Sequence, residues 1–418
     1  MPRRSPEGEG GPPDSIALIY DGIRLIVRGM STLESTPLVI IGAGAAGLMA
    51  ACHAGERGVP ALLLERKHRA GSKLLMCGNG RCNLSSCLQP DAMLADFGDP
   101  LDAFLRPAIR AFTPAQLQHW FEASGLPLMR TRDGKVFPRS ERAADVVKCL
   151  SDVLRRFSMP ICYNAPVESI TAGATGFTVQ TRTFRIEAER VLLATGGVSY
   201  PKTGSVGDGQ RLARELGHRL QPYRPGLVGI DWSGSWLAAH QGQQFKSAHV
   251  RILDGDQCIG ETTGLLECER WGLGGGAISN ATRLISRLNA RNPGVEITYA
   301  PMQAPLSIPA LTMRPLKEAM VTVGGVDLRD ISPATMASTV TPGLYFAGEV
   351  IDVDGPTGGY NLTAAFATAR LAVSTIAKEG HYTPPATKAR PQGRRGSKPD
   401  RRRRPAPRPD RRRRKSAR

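Results

Sequence analysis

One stretch of the sequence, residues 38–65, constrains the fold of this chain more than any other. It runs LVIIGAGAAGLMAACHAGERGVPALLLE, which is an apolar strand, a glycine-rich turn, an Ala-rich helix and a second apolar strand ending at Glu65. This order predicts a βαβ unit. The glycines Gly42, Gly44 and Gly47 suit a tight turn, the approach of a pyrophosphate and close packing of helix on strand. The helix N-terminus would then face the phosphates, and Glu65, near the expected ~20-residue spacing, would accept ribose hydroxyls.

Composition bounds the size of the fold and locates its charge. The 418 residues are 41% hydrophobic and 6% aromatic, which suits one large or two medium domains. No apolar run reaches the ~18 residues that a membrane span needs, so we expect no membrane contact. The net charge is +18, but residues 383–418 hold 16 of the 55 Lys and Arg and 2 of the 37 Asp and Glu. That leaves 39 basic and 35 acidic residues elsewhere, so the basic character belongs to a C-terminal tail.

The cysteines and histidines exclude two kinds of site. Eight cysteines are scattered without the rhythm of a disulfide framework, and no secretory signal precedes them, so we expect free thiols in a reducing cytoplasm. The seven histidines have no metal-ligand spacing, and no Ser-His-Asp arrangement is evident. We therefore expect neither a metal site nor triad chemistry.

Residues 1–36 precede the βαβ unit and differ from it in character. A Pro, Gly and charged run is followed by SIALIYDGIRLIVRGM, whose apolar residues are interrupted by Asp21, Gly22 and Arg24, unlike the core of a signal peptide. Met30 stands just before the first strand, as an initiator would. We therefore expect residues 1–36 to be a disordered leader or a mis-assigned start.

The loop after Glu65 is rich in hydrogen-bond donors. Lys73 and Arg81 could neutralise a diphosphate, and backbone amides from Gly78 to Asn83 could approach a planar ring. The alternative is a solvated basic loop, and spacing alone does not decide between the two.

The middle of the chain divides into helical and β-rich parts. Residues 101–157 are mainly helical, and short strands follow, the last of which ends on the sequence TGG at residues 195–197, where backbone could pass close under a cofactor. Residues 226–318 contain short alternating runs around an Asp-Gly turn, which predicts an antiparallel β domain. One helix in it, residues 277–288, carries an apolar stripe typical of a core.

The C-terminal part returns to the pattern of the first unit. The strand at 343–347 is followed by Glu349, and an amphipathic helix begins near Gly359. Glu349 could accept hydroxyls of a ribityl chain, and the amides of residues 359–361 suit the N1/O2 edge of an isoalloxazine. A positive helix end there would stabilise the anionic reduced ring. Such a return distinguishes an FAD site from a plain NAD site.

These patterns together predict an α/β fold. A discontinuous Rossmann-like FAD-binding domain covers residues 37–225 and 319–378, and an inserted antiparallel β-rich substrate domain with one helix covers residues 226–318. Residues 383–418, rich in Pro and Arg, should form a disordered basic tail.

Several segments, in the same order along the chain, resemble one flavoprotein family. They are IGAGAAGLMAA, GSKLLMCGNGRCNLSS, GKVFPRSERAADVV, LLATGGVSYPKTGSVGDGQRLARELGH, VTVGGVDLRDISPATMAS and GLYFAGEVIDVDGPTGGYNLTAAFATAR, and they span residues 37 to about 376. The family is the BaiN-like or aminoacetone-oxidase-like group of NAD(P)/FAD-dependent flavoproteins, within the glutathione-reductase-like FAD superfamily. The resemblance implies an FAD-dependent oxidoreductase.

The resemblance also implies which residues surround FAD. They belong to the glycine turn, the ribose acid and its neighbour, the donor-rich loop, strand ends and the start of the C-terminal helix. The predicted cofactor-binding residues are Gly42, Ala43, Gly44, Ala45, Ala46, Gly47, Glu65, Arg66, Lys73, Gly78, Arg81, Cys82, Asn83, Val167, Gly196, Gly197, Gly348, Glu349, Asp352, Gly359, Tyr360 and Asn361.

Departures from the family pattern fall on the substrate side. Cys77 stands where the family usually has Ser, and the family usually has a longer helical insertion before VTVGGV. The sequence LGGGA at residues 273–277 replaces the family's Ser-Gly-Pro-Ala turn. Substrate contacts therefore do not carry over from the family.

Cys77 and Cys82 suggest an alternative chemistry. A Cys-x4-Cys pair shortly after a ribose acid resembles the redox pair of flavoprotein disulfide reductases, in which a thiolate attacks a disulfide. Against this, the pair lies later than in that group, no second GxGxxG follows for a nicotinamide, and the group's C-terminal His motif is missing. A buried loop thiol is the simpler interpretation of Cys82.

We expect the chemistry to belong to the flavin, with hydride passing to or from N5 and the protein supplying orientation. Cys82, Tyr200 and Tyr360 are the candidate catalytic residues, although an aromatic ring beside a flavin more often packs than reacts. A carbonyl-conjugated alkene and an amine are both compatible as the small-molecule substrate. NADH or NADPH is the candidate electron donor.

The basic tail supports a hypothesis from a different class. Residues 383–418 could hold RNA, DNA or another polyanion through phosphate charge, with an affinity that falls as salt rises. The chain would then be a nucleic-acid-associated flavoprotein. The alternative is a solvated extension, and the lack of interleaved aromatic residues counts against sequence-specific recognition.

Overall fold

The computed structural model of the protein describes residues 15–20, 23–28, 31–300, 302 and 304–385. Its helices are α1 (Ala45–Arg57), α2 (Pro90–Phe97), α3 (Leu101–Ala111), α4 (Pro114–Ala123), α5 (Ala143–Arg156), α6 (Asp208–Glu215), α7 (Ser235–His240), α8 (Gly275–Leu288) and α9 (Tyr360–Glu379). Its strands are β1 (Ser15–Tyr20), β2 (Ile23–Arg28), β3 (Ser31–Ile41), β4 (Ala61–Leu64), β5 (Ser85–Ser86), β6 (Leu128–Arg130), β7 (Lys135–Pro138), β8 (Ile161–Cys162), β9 (Val167–Ala172), β10 (Phe177–Thr181), β11 (Phe184–Leu193), β12 (Leu220–Gly226), β13 (Ile230–Asp231), β14 (Gln244–Asp254), β15 (Gln257–Glu269), β16 (Gly272–Gly274), β17 (Pro293–Thr298), β18 (Leu306–Ile308), β19 (Thr312–Met313), β20 (Val321–Val326) and β21 (Leu344–Phe346).

A seven-stranded mixed sheet organises the first region. Its order is β8-β4-β3-β11-β10-β9, and β21 pairs with the end of β11. Strands β8, β4, β3, β11 and β21 are parallel, whereas β9 and β10 continue from β11 as an antiparallel meander. Helices α1 and α9 pack on each other and contact this sheet. The carboxyl ends of the parallel strands meet at one edge, which is where ligands bind in such sheets.

The glycines of the first turn explain why the chain folds so tightly there. Gly42 has a φ of 102°, and a Cβ on it would lie 2.7 Å from the backbone oxygen of Ala194. A Cβ on Gly47 would lie 1.7 Å from the carbonyl oxygen of Gly42. Only glycine fits at both positions, so α1 packs directly on the turn.

The antiparallel region has its own sheet and its own core. The strand order is β18-β17-β14-β15-β16-β13-β19, and α8 packs on β14 and β15. Buried side chains of this sheet and of α8 form a hydrophobic cluster distinct from the one around the parallel sheet. The predicted fold class is confirmed: a Rossmann-like domain with an antiparallel β-rich insert. The exact domain boundaries remain predictions.

Buried ion pairs join the two regions. Arg283 on α8 donates to Asp354 at 2.6 Å, and both side chains are almost fully buried. Arg287, one turn later on α8, donates to Asp352 at 2.7 Å and also to Asp354. Thr357 N donates to Asn280 Oδ1 at 2.8 Å. The segment that precedes α9 is therefore held against α8.

Some expected elements differ in the structure. The apolar stripe predicted for residues 277–288 is mostly buried, but Leu288 is 53% exposed because α8 ends there. Strands β1 and β2 pair antiparallel and β3 begins at Ser31, so residues 15–20 and 23–28 form strands where a disordered leader was expected. The mis-assigned start stays a prediction.

The basic tail lies almost entirely beyond the part of the chain that the structure describes. Residues 1–14 and 386–418 fall outside the described residues, so the expectation of disorder there stays a prediction. None of the helices described above combines the length and the hydropathy that a membrane span requires.

Candidate functional site

Two adjoining clefts open at the carboxyl edge of the parallel strands. The first cleft, of about 640 Å³, lies beside the ends of β3 and β4, and its lining includes Glu65 and Asp208. The second cleft, of about 880 Å³, lies between the starts of α1 and α9, and its lining includes Cys77 and Asn361. The two clefts form one continuous site because they share lining residues. These shared residues are Gly44, Lys73, Thr195 and Ser205.

The start of α1 presents backbone amides at the junction of the two clefts. Its N-cap residue, Gly44, has no side chain that could cap the helix amides. Gly44, Ala45 and Ala46 line the second cleft. The first amides of a helix have no intrahelical partner and attract anions. A Cβ on Gly44 would meet no atom within 4 Å, so the approach to these amides is open. This geometry fits a pyrophosphate.

Glu65 directly follows β4 and is held in place by two backbone amides. Its Oε2 accepts from Ala43 N and its Oε1 accepts from Lys67 N, both at 2.8 Å. Burial raises the pKa of the Glu65 carboxyl, although the two hydrogen bonds and the charges of Arg66 and Lys67 act in the opposite direction. The side chain is thereby fixed against the first cleft, where a ribose acid belongs.

The outer side of the first cleft carries an ion pair. Arg66 Nη1 donates to Asp208 Oδ2 at 2.6 Å, with each side chain about one-third exposed. Val167, at the start of β9, lines the same cleft. Arg66 and Val167, both predicted to bind the cofactor, thus line the first cleft, and their role in binding stays a prediction.

Lys73 stands at the junction within a connected polar network. Its Nζ donates to Ser199 Oγ at 2.7 Å and to Glu349 Oε2 at 2.6 Å. Glu349 Oε1 in turn accepts from Thr322 N at 2.8 Å and from Ser199 Oγ at 3.2 Å. Both carboxylate oxygens of Glu349 therefore have protein partners, and the network fixes the Lys73 ammonium between the two clefts.

The start of α9 forms one side of the second cleft. Gly359, its N-cap residue, has a φ of 95°, and a Cβ there would lie 2.4 Å from the backbone carbon of Ser85. The Asn361 side chain accepts from Gly355 N and donates to Gly355 O, both at 2.8 Å, and lines the cleft. Gly359 therefore packs against the chain behind α9 while Asn361 faces the cleft.

Residues 78–83 of the donor-rich loop do not line either cleft, contrary to expectation. Arg81 is exposed, pairs with Glu141 and lies over the Phe137 ring. Cys82 is fully buried behind the loop. Gly78 and Asn83 are also absent from the cleft walls.

Other predicted residues serve the protein scaffold. Asp352 accepts from Arg287 and from Gly324 N, so its carboxylate is engaged away from the clefts. Tyr360, a candidate catalytic residue, donates its hydroxyl to Asp96.

Two further predicted residues also lie off the cleft walls. Gly197 packs against Thr322, and a Cβ on Gly197 would lie 2.3 Å from Thr322 Oγ1. Tyr200, the other aromatic candidate, is half-buried but absent from the cleft walls. By contrast, Gly196 and Gly348 line the second cleft, and their contact with FAD stays a prediction.

Two buried hydroxyl groups at the site lack a protein partner. Ser72 Oγ and Thr195 Oγ1 make no hydrogen bond among the described residues, and both residues line the first cleft. A buried hydroxyl without a partner costs stability, and a bound group could supply one. Sequence patterns did not single out Ser72 or Ser205, whereas Thr195 belongs to the TGG strand end that the sequence indicated.

The cysteine pair does not have the electrostatics of a redox pair. Burial raises the pKa of the Cys77 thiol to about 11 and raises that of Cys82 well above its usual range. Reactive thiols need a lowered pKa, because the thiolate is the nucleophile. Among the two, only Cys77 reaches a cleft wall.

The residues present fit an FAD molecule. The first cleft offers a fixed carboxylate in Glu65, the junction offers open helix amides beside Gly44 together with the Lys73 ammonium, and the second cleft offers the start of α9. The unpartnered hydroxyls of Ser72 and Thr195 lie along the same path. These groups follow the order in which ribose, pyrophosphate and flavin occur in the cofactor.

Comparisons with known proteins agree with this arrangement. Residues 36–375 match the family described as HI0933-like protein Rossmann domain. The 3-dehydro-bile acid delta(4,6)-reductase of Clostridium scindens is 30% identical over 401 residues, which cover 80% of this chain and 97% of that protein. The ribosomal RNA dihydrouridine synthase of Escherichia coli is 28% identical over 392 residues, which cover 81% of this chain and 97% of that protein.

A solved structure shares the fold. FrdA of Escherichia coli quinol fumarate reductase superposes with a TM-score of 0.54 at 16% identity, covering 86% of this chain and 72% of that one. At this identity the likeness concerns the fold alone. The family match, in contrast, extends over most of the chain. The chain therefore belongs to the HI0933-like family of FAD-binding Rossmann proteins and is an FAD-dependent oxidoreductase.

Proposed function

We propose that the protein is a reductase of carbon–carbon double bonds that are conjugated to a carbonyl group. The product gains one hydride and one proton, and FAD, when bound, supplies the hydride from N5. The names of two relatives share this chemistry. One is a delta(4,6)-reductase of a 3-dehydro-bile acid, and the other is a dihydrouridine synthase. Formation of dihydrouridine saturates the ring double bond of uracil.

In this proposal the adenosine end of FAD occupies the first cleft and the flavin end occupies the second. Glu65 accepts the ribose hydroxyls, and the amides after Gly44 hold the pyrophosphate beside Lys73. The start of α9 near Asn361 faces the flavin. The partial positive charge at the start of this 20-residue helix would stabilise the reduced, anionic ring.

The observation that carries the proposal is the wall of the second cleft. Val321, Leu362 and Met320 line it, and Met320 is 48% exposed, so the apolar wall reaches the surface. Among the described residues that line this cleft, Glu349 has the only carboxylate, and Lys73 neutralises it. An ammonium substrate would therefore find no free counter-charge, whereas a flat conjugated carbonyl compound would suit the apolar wall.

A uracil ring in RNA is a second candidate substrate, favoured by the basic tail. Residues 383–418 carry 16 Lys and Arg against 2 Asp and Glu, which is enough charge to hold an RNA backbone. The reaction at the ring would be the same addition of hydride and proton. The two candidate substrates differ in how the double bond reaches the second cleft: as part of a free small molecule, or as part of an RNA chain.

Reoxidation of the reduced protein tests the proposal. Purified, FAD-loaded protein is reduced with dithionite under anaerobic conditions and mixed with progesterone, which is a 3-oxo-4-ene steroid, or with ribosomal RNA transcribed in vitro. We expect return of the oxidised flavin band with at least one of them, and a product that has gained two hydrogen atoms. Failure of both, with bleaching of the oxidised protein by benzylamine, would instead indicate an amine oxidase.

The basic tail has its own control. Truncation after residue 382 should leave reduction of progesterone unchanged and should weaken reoxidation by RNA, because the tail supplies the phosphate contacts. If the truncated protein binds and reduces RNA as the full chain does, the tail has no part in substrate binding.

The electron donor is proposed to be NADH or NADPH. The described chain offers no second glycine-rich nucleotide motif, so the nicotinamide would reach the flavin through the open side of the second cleft, near Met320. Reduction of the flavin by one of the two nucleotides, followed in a stopped-flow spectrometer, measures this directly.

A further inference from the structure

We propose that the thiol of Cys77 donates the proton that completes reduction of the double bond. This inference rests on the proposed function and names a residue for its second step. The cleft is defined independently of the thiol, by the glycine turn, the Lys73 network and the start of α9.

Cys77 lies in the wall of the second cleft. It follows a short 3-10 turn in which Leu74 is 2% exposed and Met76 is 47% exposed. Cys77 itself is half-buried and lines the second cleft together with Lys73 and Glu349. Cys77 therefore lies in the cleft wall, close in the chain to both a buried and an exposed residue.

The backbone fixes Cys77 while leaving its thiol free to react. Cys77 N donates to Leu74 O at 3.1 Å, and Cys77 O accepts from Cys82 N at 2.8 Å. The thiol contacts the backbone oxygen of Lys73 at 3.7 Å, a weak hydrogen bond that a substrate could displace. The main chain is thus rigid, and the S–H group is available.

Among the other proton-bearing side chains of the second cleft, Lys73 and Thr368 are already engaged, and the hydroxyls of Thr195 and Ser205 are weaker acids than a thiol. Lys73 Nζ donates to Ser199 and Glu349. Thr368 Oγ1 donates to the backbone oxygen of Ala364 at 2.7 Å. Cys82, Tyr200 and Tyr360, the catalytic candidates from the sequence, are absent from the cleft walls. Cys77 is the titratable group that these observations leave.

The protonation state of Cys77 suits a donor. Burial raises the pKa of its thiol to about 11, with Lys73 opposing the rise and Glu349 adding to it. The thiol is therefore protonated at neutral pH and is a poor nucleophile. An enolate is a strong enough base to take its proton, and the nearby ammonium of Lys73 favours the thiolate left behind.

The chemistry conserves atoms and charge. Hydride addition at the β-carbon, with the electron pair drawn from reduced FAD, leaves an enolate on the substrate. The S–H bond of Cys77 breaks, a C–H bond forms at the α-carbon, and the negative charge passes to sulfur. Water then reprotonates the thiolate, and a reduced nicotinamide restores the reduced cofactor.

A spectroscopic titration tests the position of the thiol without any turnover. FAD-loaded protein is brought from neutral to strongly alkaline pH, and long-wavelength charge-transfer absorbance is recorded. We expect a band with a midpoint near pH 11 in the wild type and in Cys87→Ala, whose thiol is exposed, and no band in Cys77→Ala. A band that persists in Cys77→Ala, or appears in none of the proteins, overturns the proposal.

Deuterium labelling tests the proton transfer itself. The probe that reoxidises the reduced protein, progesterone or ribosomal RNA, is reduced in D2O. Wild type should place deuterium on one face of the α-carbon. Cys77→Ala, with normal FAD content, should slow reoxidation by about 10²-fold to 10⁴-fold and label both faces, because water then delivers the proton. Cys77→Ser should keep the label on one face with a smaller loss of rate.

The two ways of failing can be distinguished. If Cys77→Ala reduces the probe at the wild-type rate with the label on one face, the proton donor is another group and the proposed function stands. If neither probe reoxidises wild-type protein, the proposed function fails, and this inference fails with it.

Discussion

The parallel region and the antiparallel region of this protein keep their polar groups in different places. In the parallel region, charged side chains at the strand ends are largely buried and fully partnered, as with Glu65 and its two amides. In the antiparallel region, ion pairs such as Arg251 with Glu296 lie on the solvated side of the sheet. Burying a charged group costs free energy unless it has hydrogen-bond partners. In the parallel region those partners are backbone amides at the carboxyl edge of the sheet.

This difference indicates that the two regions have different roles. The parallel region supplies backbone shape, helix ends and fixed charges for a cofactor. The antiparallel region supplies α8, which holds the segment before α9 through Arg283 and Asp354. Substitutions in the cleft walls of the first region should therefore affect FAD binding, and substitutions that break the link to α8 should affect stability.

The glycine turn offers the largest effect. Gly47→Ala puts a Cβ 1.7 Å from the Gly42 carbonyl oxygen, so α1 has to leave the turn. We expect little folded protein. Gly44→Ala is the matched control, because its Cβ meets no protein atom within 4 Å. Apoprotein with Gly44→Ala should melt like wild type but bind FAD about tenfold or more weakly, since the methyl group occupies the phosphate approach.

Thermal unfolding of the apoproteins and fluorescence titration with FAD measure these two effects. Wild-type affinity for FAD in Gly44→Ala would place the pyrophosphate away from the start of α1. Normal folding of Gly47→Ala would show that the helix does not need to pack on the turn.

The buried link between the regions should give the next largest effect. Asp354→Asn removes the carboxylate shared by two arginines and should lower the free energy of unfolding by about 3 kcal/mol, because Arg283 is left buried without its partner. Glu296→Gln, which breaks the pair with the 45% exposed Arg251, should cost less than about 1 kcal/mol. Urea unfolding measures both, and equal costs would contradict the difference between the buried link and the solvated pair.

The ribose acid should affect binding more than stability. Glu65→Gln replaces a charged acceptor with a neutral one, so FAD affinity should fall by about 10-fold to 100-fold, corresponding to about 1.5–3 kcal/mol. Glu141→Gln, an exposed carboxylate paired with Arg81, is the control and should bind FAD normally. If Glu65→Gln also retains full affinity, the adenosine end of FAD does not occupy the first cleft.

The last expected effect is a pH dependence of stability that arises between helices α1 and α9. Burial alone would raise the pKa of Glu56, but hydrogen bonding to His53, the charge of Arg370 and a hydrogen bond from Trp120 lower it to about 2 from 4.5. Because the folded-state pKa is the lower one, the stabilisation is present above pH 4.5 and is lost as the pH falls towards 2. Glu56→Gln should flatten the loss of stability over this range, and an unchanged profile in urea unfolding would refute the assignment.

The parts of the site made by local sequence were predictable. Gly42, Gly44 and Gly47 are close in the sequence, and the steric demands of a tight turn fix their order. Glu65 and Lys73 follow the same βαβ unit at short distances along the chain. The clefts contain these residues because a βαβ unit can place its glycines and its acid in only one way.

The parts made by long-range pairing were not predictable. The carboxylate of Asp352 could serve as a cofactor ligand, but it accepts a hydrogen bond from Arg287 on α8, which is distant in the sequence. Arg81 has the charge for a phosphate, yet it faces Glu141 and Phe137. A donor's presence in a loop does not determine its direction, which depends on the elements packed around the loop. Cys77 is the opposite case, because the sequence does not distinguish it from Cys82, whereas the folded structure places Cys77 alone of the two in a cleft wall.

The absorbance of the purified protein, mixed anaerobically with NADH or NADPH, tests the central claim most directly. We predict a flavin band, release of one FAD per chain on denaturation, and bleaching of the band by one of the two nucleotides. A band that neither nucleotide bleaches would contradict a nicotinamide-fed reductase. A folded protein that neither carries nor takes up FAD would contradict the whole account.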